Sequence, residues 1–307
     1  MSYFKVHILG CGSATPTLHH APTAQIVNLR DKLYLIDCGE GTQLQMRRYK
    51  VRFNRLNHIF ISHMHGDHCF GLPGLISTLG MLGRRGELTI HGPAETEAFL
   101  SPVLSQFCKE LPYNIRFNII DPQKSELILE DRSLEVYSIP LKHRIPTCGF
   151  LFSEKQSEPH IIREMMDFYN VPLREIGDIK KGKDFVAEDG SVVPYTRLTL
   201  PADPPKRYAY CSDTAFSPSV IPYIEGVDCL YHESTFLEKD LKRAKETFHS
   251  TARQAAEIAM RAGVKKLVLG HYSARYESLD GFLEEAQAVF QNVVLSEEGK
   301  VLLINEK

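Results

Sequence analysis

Residues 58 to 74 read HIFISHMHGDHCFGLPG, an apolar run that ends in a segment holding four histidines and an aspartate. A hydrophobic core gains nothing from such a cluster, because buried polar groups need partners. The run 58–62 is strand-like. It delivers His63, His65 and Asp67 at alternate positions, which in an extended chain point to one side. Gly66 lets the backbone turn, and His68 follows from the loop or from a first helical turn. One short segment thus aims three imidazoles and a carboxylate at a single point, as a metal site requires.

Three ligands so close in an extended chain crowd one tetrahedron unless they split between two ions. Splitting needs further donors, and three stand where apolar runs stop: His143 after LEVYSIPLKH, Asp213 at the end of RYAYCSD, and His271 at the end of KKLVLGH. Strand ends are where α/β folds expose chemistry. Imidazole and carboxylate suit zinc, and manganese and iron can use the same donors.

The rest of the chain alternates in the same style. YFKVHILG, AQIVNLR, KLYLIDCG, ELTIHGP and VDCLYHEST read as strands, and GLPGLISTLGMLGRRG, AETEAFLSPVLSQFCKEL and STARQAAEIAMRAG as helices. Strands mixed with helices throughout indicate an α/β layered domain. The segment from about 153 to 205 is polar, proline-spotted and weakly periodic. It reads as a long, arm-like surface insertion within a single domain spanning 1–307.

No apolar run approaches the roughly 18 residues of a membrane span, and the N-terminus lacks a secretory pattern. The seven cysteines are scattered, with no CxxC pair. Reduced thiols and a cytoplasmic location are therefore expected. A formal charge of −2 gives no global argument for a polyanionic partner. Local basic patches at MRRYKVRFNR (46–55) and IKKGK (179–183) leave one open.

The ligand pattern resembles the metallo-β-lactamase superfamily, which implies an αβ/βα sandwich of two mixed β-sheets flanked by helices. It also implies two zinc ions per subunit. His63, His65 and His143 would hold one, Asp67, His68 and His271 the other, and Asp213 would bridge both. Flavodiiron members usually carry glutamate where this chain has His65, so redox chemistry is not expected. Paired metals serve hydrolysis of many esters and amides alike, and the surroundings must choose among them.

Further segments are similar to the ribonuclease Z family, the endonucleases that trim the 3′ trailer from precursor tRNA. These are GCGSATP, LIDCGEGTQLQM, SHMHGDHCFGLPGL, CSDT, YHEST, TFHSTARQAAEIA and LGHYSARY, in that order from about residue 5 to 280. The resemblance implies cleavage that leaves a tRNA 3′-hydroxyl and a 5′-phosphate on the trailer. It makes His249 the acid for the leaving alkoxide, oriented and kept protonated by Glu233. Asp67 would both ligate metal and position the nucleophile, while His232, from its place on the strand CLYHE, reads as a packing residue or a support behind the ligands. It places a tRNA-gripping arm at the insertion, with Lys180, Lys181 and Lys183 on phosphates, and it implies a homodimer to which GLPGLISTLGMLGR contributes. Two departures stand out: the first loop, TPTLHHAPTAQ, keeps Pro16 without the family's Lys, Arg and Asn, and the arm shows VPLREIG in place of a glycine-proline pair. The alternative on the same scaffold is a small-molecule phosphodiesterase or arylsulfatase-type hydrolase.

Overall fold

The computed structural model describes residues 4–304. They divide into a large unit (4–130, 135–152 and 206–304) and a small one (131–134 and 153–205).

In the large unit, strands β1 (Phe4–Gly10), β2 (Ala24–Leu29), β3 (Lys32–Ile36), β4 (Leu56–Phe60), β5 (Leu88–Gly92) and β6 (Ile115–Ile119) build the first sheet in sequence order. Strands β7 (Leu127–Glu130), β8 (Leu134–Leu141) and β9 (Thr147–Glu154) begin the second. The small unit carries β10 (His160–Ile161), β11 (Phe185–Val186), β12 (Val192–Val193) and β13 (Thr199–Leu200). The second sheet is then completed by β14 (Arg207–Cys211), β15 (Cys229–Glu233), β16 (Leu267–Gly270) and β17 (Val293–Leu295), and β18 (Val301–Leu303) returns beside β1.

The two seven-stranded sheets face each other, and the alternation of strand side chains sorts their residues into layers. On β3 and β4, Tyr34 and Phe60 point inward to meet Phe150 and Phe152 of β9 edge-on. Their neighbours Leu35 and Ile59 point outward, against Leu72, Leu75, Ile76 and Leu79 of the helix Leu72–Met81. On the other side, helix Ala252–Arg261 packs on β15 and β16. Thr251 caps this helix and Gln254 closes a capping box. The result is the helix–sheet–sheet–helix sandwich expected from the sequence.

Pairing direction places the site. Strands β3, β4 and β5 run parallel, as do β14, β15, β16 and β17. Parallel neighbours end on the same edge. Asp37 and Ser62 therefore leave adjacent strands of one sheet, and Asp213, Glu233 and His271 belong to adjacent strands of the other.

The small unit is more than a polar excursion. Met166, Val171, Ile179, Phe185, Val193 and Leu198 form a buried cluster of their own. Two-residue ribbons pair β10 with β13 and β11 with β12. No helix among the described residues is long and apolar enough to cross a membrane, and all seven cysteines are free thiols.

Candidate metal centre and active site

The histidine segment departs from the fully extended reading in one respect. Strand β4 stops at Phe60, and His63 and His65 follow on non-helical backbone, but Asp67 and His68 lie on a short helix, Gly66–Cys69. The alternation thus holds for the two early histidines, and Asp67 reaches the same point by turning. Gly39 allows this turn to sit close, since a Cβ there would lie 2.5 Å from the Asp67 carbonyl oxygen.

All seven expected ligands converge as two lobes that share Asp213. In the first, His63 Nε2 lies 2.9 Å from His65 Nδ1, and His143 Nε2 lies 3.3 Å from the same atom. Asp213 Oδ2 is 3.5 Å from His63 Nε2 and 3.6 Å from His143 Nε2. In the second lobe, His68 Nε2 is 3.5 Å from Asp67 Oδ2 and His271 Nε2 is 3.4 Å from it. Asp213 Oδ1 completes that lobe at 3.3 Å from His68 and 3.1 Å from His271. Each Asp213 oxygen faces one lobe.

Outer contacts fix the imidazole tautomers. Ser62 Oγ donates to Asp37 (2.9 Å) and so accepts from His63 Nδ1 (3.0 Å). Thr235 Oγ1 donates to Glu233 (2.7 Å) and accepts from His271 Nδ1 (2.9 Å). His68 Nδ1 donates to Asp37 (2.8 Å) and His143 Nδ1 to the Phe248 carbonyl (3.0 Å). With each Nδ1 turned to its outer partner, Nε2 of all four rings faces the centre.

This arrangement fits bound cations. His68 Nε2 and His271 Nε2 are buried with no hydrogen-bond partner, a cost that a metal bond removes. Burial and the nearby charge of His68 hold the His63 pKa down to about 4, leaving its lone pair free. Burial also lowers His65 and His143. At His68 burial opposes protonation, yet Asp213, Asp67 and Asp37 together hold its pKa well above the usual histidine value. The carboxylates create a negative field that calls for positive charge at this spot.

His249 and Glu233 stand beside the expected ligands. His249 Nδ1 lies 2.7 Å from Glu233 Oε1. The other Glu233 oxygen accepts from the Thr235 N–H (2.9 Å) and hydroxyl (2.7 Å), and Oε1 also takes the Thr214 N–H (3.0 Å). Burial pulls the His249 pKa down, but Glu233, by charge and hydrogen bond, outweighs it and raises the pKa to about 9. His249 also comes within ligand range of Asp213 and His271. Its Nδ1 is committed to Glu233, which leaves Nε2 for a substrate. His232 is buried on β15, donating from Nδ1 to the Glu233 carbonyl (2.7 Å).

A cleft of about 600 Å³ opens over these groups, lined among others by Ala14, Phe70, Arg144, Arg243 and His249. The Ala14 N–H donates to Asp67 Oδ2 at 2.7 Å. Ala14, Asp37, Phe248 and His271 all have left-handed backbone, with φ between 53° and 62°. Such conformations are costly away from glycine and gather where a site needs them.

A curated ribonuclease Z from Parabacteroides distasonis is 68% identical over 304 residues, covering 99% of this chain and 100% of its own length. The chain belongs to the ribonuclease Z family. A ribonuclease Z from Porphyromonas gingivalis is 58% identical over 298 residues, covering 97% of this chain and 98% of its own. The crystal structure of the short form of human tRNase Z superposes with a TM-score of 0.71 at 25% identity, covering 98% of this chain and 100% of that one. A family model described as a beta-lactamase superfamily domain matches residues 189–272, and one described as anti-Pycsar protein Apyc1 matches 4–155.

Within this ribonuclease Z family chain, the seven expected ligands, His249 and Glu233 meet in one place. Lys180, Lys181 and Lys183 belong to the small unit, where Lys180 lies 3.6 Å from Glu158 and Lys183 lies 2.9 Å from Asp178. Lys181 is exposed. Sequence reasoning missed Asp37, which is fully buried and gathers Ser62, His68 and Tyr210. It ends the apolar run KLYLI, the same signal that located Asp213 and His271. It missed Thr235 and Ser62 too, whose hydroxyls carry no pattern of their own.

Proposed function

We propose that this chain removes the 3′ trailer from precursor tRNA by endonucleolytic cleavage, leaving a tRNA 3′-hydroxyl and a 5′-phosphate on the trailer. The observation that carries the reading is the His249–Glu233 pair held 2.7 Å apart beside the two-lobed ligand cluster. The 68% identical ribonuclease Z selects the substrate.

His63, His65 and His143 would hold one zinc in this reading and Asp67, His68 and His271 a second, with Asp213 turning one oxygen toward each set. A metal pair held there would supply Lewis-acid chemistry at the scissile phosphate and a more acidic water. The Ala14 N–H fixes the orientation of Asp67. Glu233 keeps His249 charged, and His249 Nε2 gives its proton to the departing 3′-oxygen, an alkoxide too basic to leave unaided. Arg144 and Arg243 line the same cleft and suit the flanking phosphates.

The chain acts in this reading as one catalytic domain carrying an inserted arm, about 153–205, whose Lys180, Lys181 and Lys183 grip the tRNA body. It works in the cytoplasm as a homodimer. The exposed Met81 and Phe107, which share a surface groove with Leu111 and Pro112, support that assembly. The test is to incubate purified protein with a 3′-extended tRNA, with and without a chelator, and to map the product ends. A single metal-dependent cut at the 3′ junction supports the proposal. Cleavage elsewhere, or none in added zinc or manganese, refutes it.

A further inference from the structure

Away from the catalytic cluster, the first loop and the turn between β17 and β18 bring together Cys11, His20 and Glu298, a thiol, an imidazole and a carboxylate. Cys11 follows β1 and is fully buried. Its Sγ lies 3.5 Å from His20 Nδ1 and 3.5 Å from Glu298 Oε1, and His20 Nδ1 lies 3.1 Å from Glu298 Oε2. A tetrahedral zinc with bonds of about 2.3 Å to sulfur and about 2.0–2.2 Å to nitrogen and oxygen separates its ligand atoms by roughly 3.3–3.6 Å. The two spacings from sulfur, 3.5 Å each, fall in that range, and the nitrogen–oxygen contact, made to the other carboxylate oxygen, is shorter at 3.1 Å. The His20 side chain keeps 22% of its surface exposed, so solvent can supply a fourth ligand.

The alternative is a plain hydrogen-bond network. Cys11 Sγ donates weakly to the Ser296 carbonyl at 3.7 Å, and Glu298 Oε1 accepts from the Ala21 N–H at 2.8 Å. That network gives each carboxylate oxygen a partner, Oε2 facing His20 Nδ1 at 3.1 Å, but it sets the thiol against Oε1, two groups that repel once the sulfur ionises. Burial and Glu298 accordingly hold the Cys11 pKa well above the usual thiol value. A cation between the two reverses that balance.

We infer that Cys11, His20 and Glu298 form an additional binding site for one borderline-soft divalent cation of the zinc class, separate from the catalytic cluster. The thiolate selects against magnesium and calcium. Binding replaces the thiol proton: the S–H bond breaks, a sulfur–metal bond forms, and the proton passes to solvent. The site ties the first loop to the β17–β18 turn. That loop also carries Ala14, whose N–H holds Asp67, and the Cys11 carbonyl accepts the Tyr272 N–H one residue beyond His271. Occupancy therefore fixes the wall of the catalytic cleft. The inference does not depend on the substrate assigned above.

Cobalt(II) tests it, because none of the seven catalytic ligands is a cysteine. Titrating cobalt into chelator-stripped full-length protein is expected to give a thiolate-to-cobalt charge-transfer band equivalent to one site per chain. The band should vanish in Cys11→Ser and persist in Asp213→Asn. In His20→Ala the cobalt affinity read from this band should fall at least about 10-fold, the loss typical even of an outer-shell contact. Folded wild-type protein that takes up cobalt without the band overturns the inference, as does a band that survives in Cys11→Ser.

Discussion

Replacing Glu233 with Gln removes the charge that keeps His249 protonated and leaves a side chain of the same shape. In the native protein the His249 pKa is raised to about 9, with burial opposing and Glu233 the main raising influence. Without that carboxylate, burial dominates and the pKa falls to about 6.5 or lower. At pH 8 the protonated fraction drops from about 0.9 to about 0.03, so cleavage slows about 30-fold. At pH 6 both proteins are mostly protonated and the difference shrinks to about 1.3-fold. The assay is single-turnover cleavage of a 3′-extended tRNA across this range, with thermal melting as a control. That control is needed because Glu233 also accepts from Thr214 and Thr235. The alkaline limb of the rate profile should move down by about two units or more. An equal slowing at every pH would refute the reasoning, since it would make Glu233 a purely geometric support.

Three further outcomes are expected. Thr235→Val removes the acceptor for His271 Nδ1 and the hydroxyl donor to Glu233, and should weaken metal retention or activity about 10–100-fold, read by competition with a chelator. Alanine at Lys180, Lys181 and Lys183 should raise KM for precursor tRNA and flatten its salt dependence, leaving turnover of a small phosphodiester unchanged. Most of that effect should follow Lys181, because the other two are held by Glu158 and Asp178. His91 is buried and stacked on Phe60 with ring centroids 4.4 Å apart, and burial, with His58 and Arg116, lowers its pKa to about 3. Its folded pKa lies below the unfolded value, so stability is full above about pH 6.5 and declines as pH falls toward 3, by about 5 kcal/mol in total. His91→Phe should remove that part of the acid dependence in melting curves.

Much of the catalytic unit was legible because its logic is local. Apolar runs that stop at His63, His143, Asp213 and His271 mark strand ends, and parallel pairing sends those before Asp213 and His271 to one edge of their sheet and the one before His63 to the same edge as its neighbours. The helix Leu72–Met81 and the capped helix Ala252–Arg261 follow equally from periodicity. What escaped has physical causes. Asp37 lies at a strand end too, but its work is to hold His68, and a supporting carboxylate looks the same in sequence as a turn residue. A first helical turn is open for His68 in the sequence, but nothing there extends it to Asp67, because Gly66–Cys69 is four residues long, too short to show a period. The small unit hides its core for the same reason. Its strands are two residues each and its helices are no longer than six, so Met166, Ile179, Phe185 and Leu198 recur at no regular interval.

The central claim is that one aspartate joins two cation sites. Anomalous diffraction from zinc-loaded crystals, collected on both sides of the zinc absorption edge, tests it directly. Two peaks are expected flanking Asp213, one within about 2.0–2.2 Å of His63, His65 and His143 nitrogens and the other equally close to Asp67, His68 and His271. A single peak bound to only one of those groups, or peaks that leave Asp213 unligated, would contradict it.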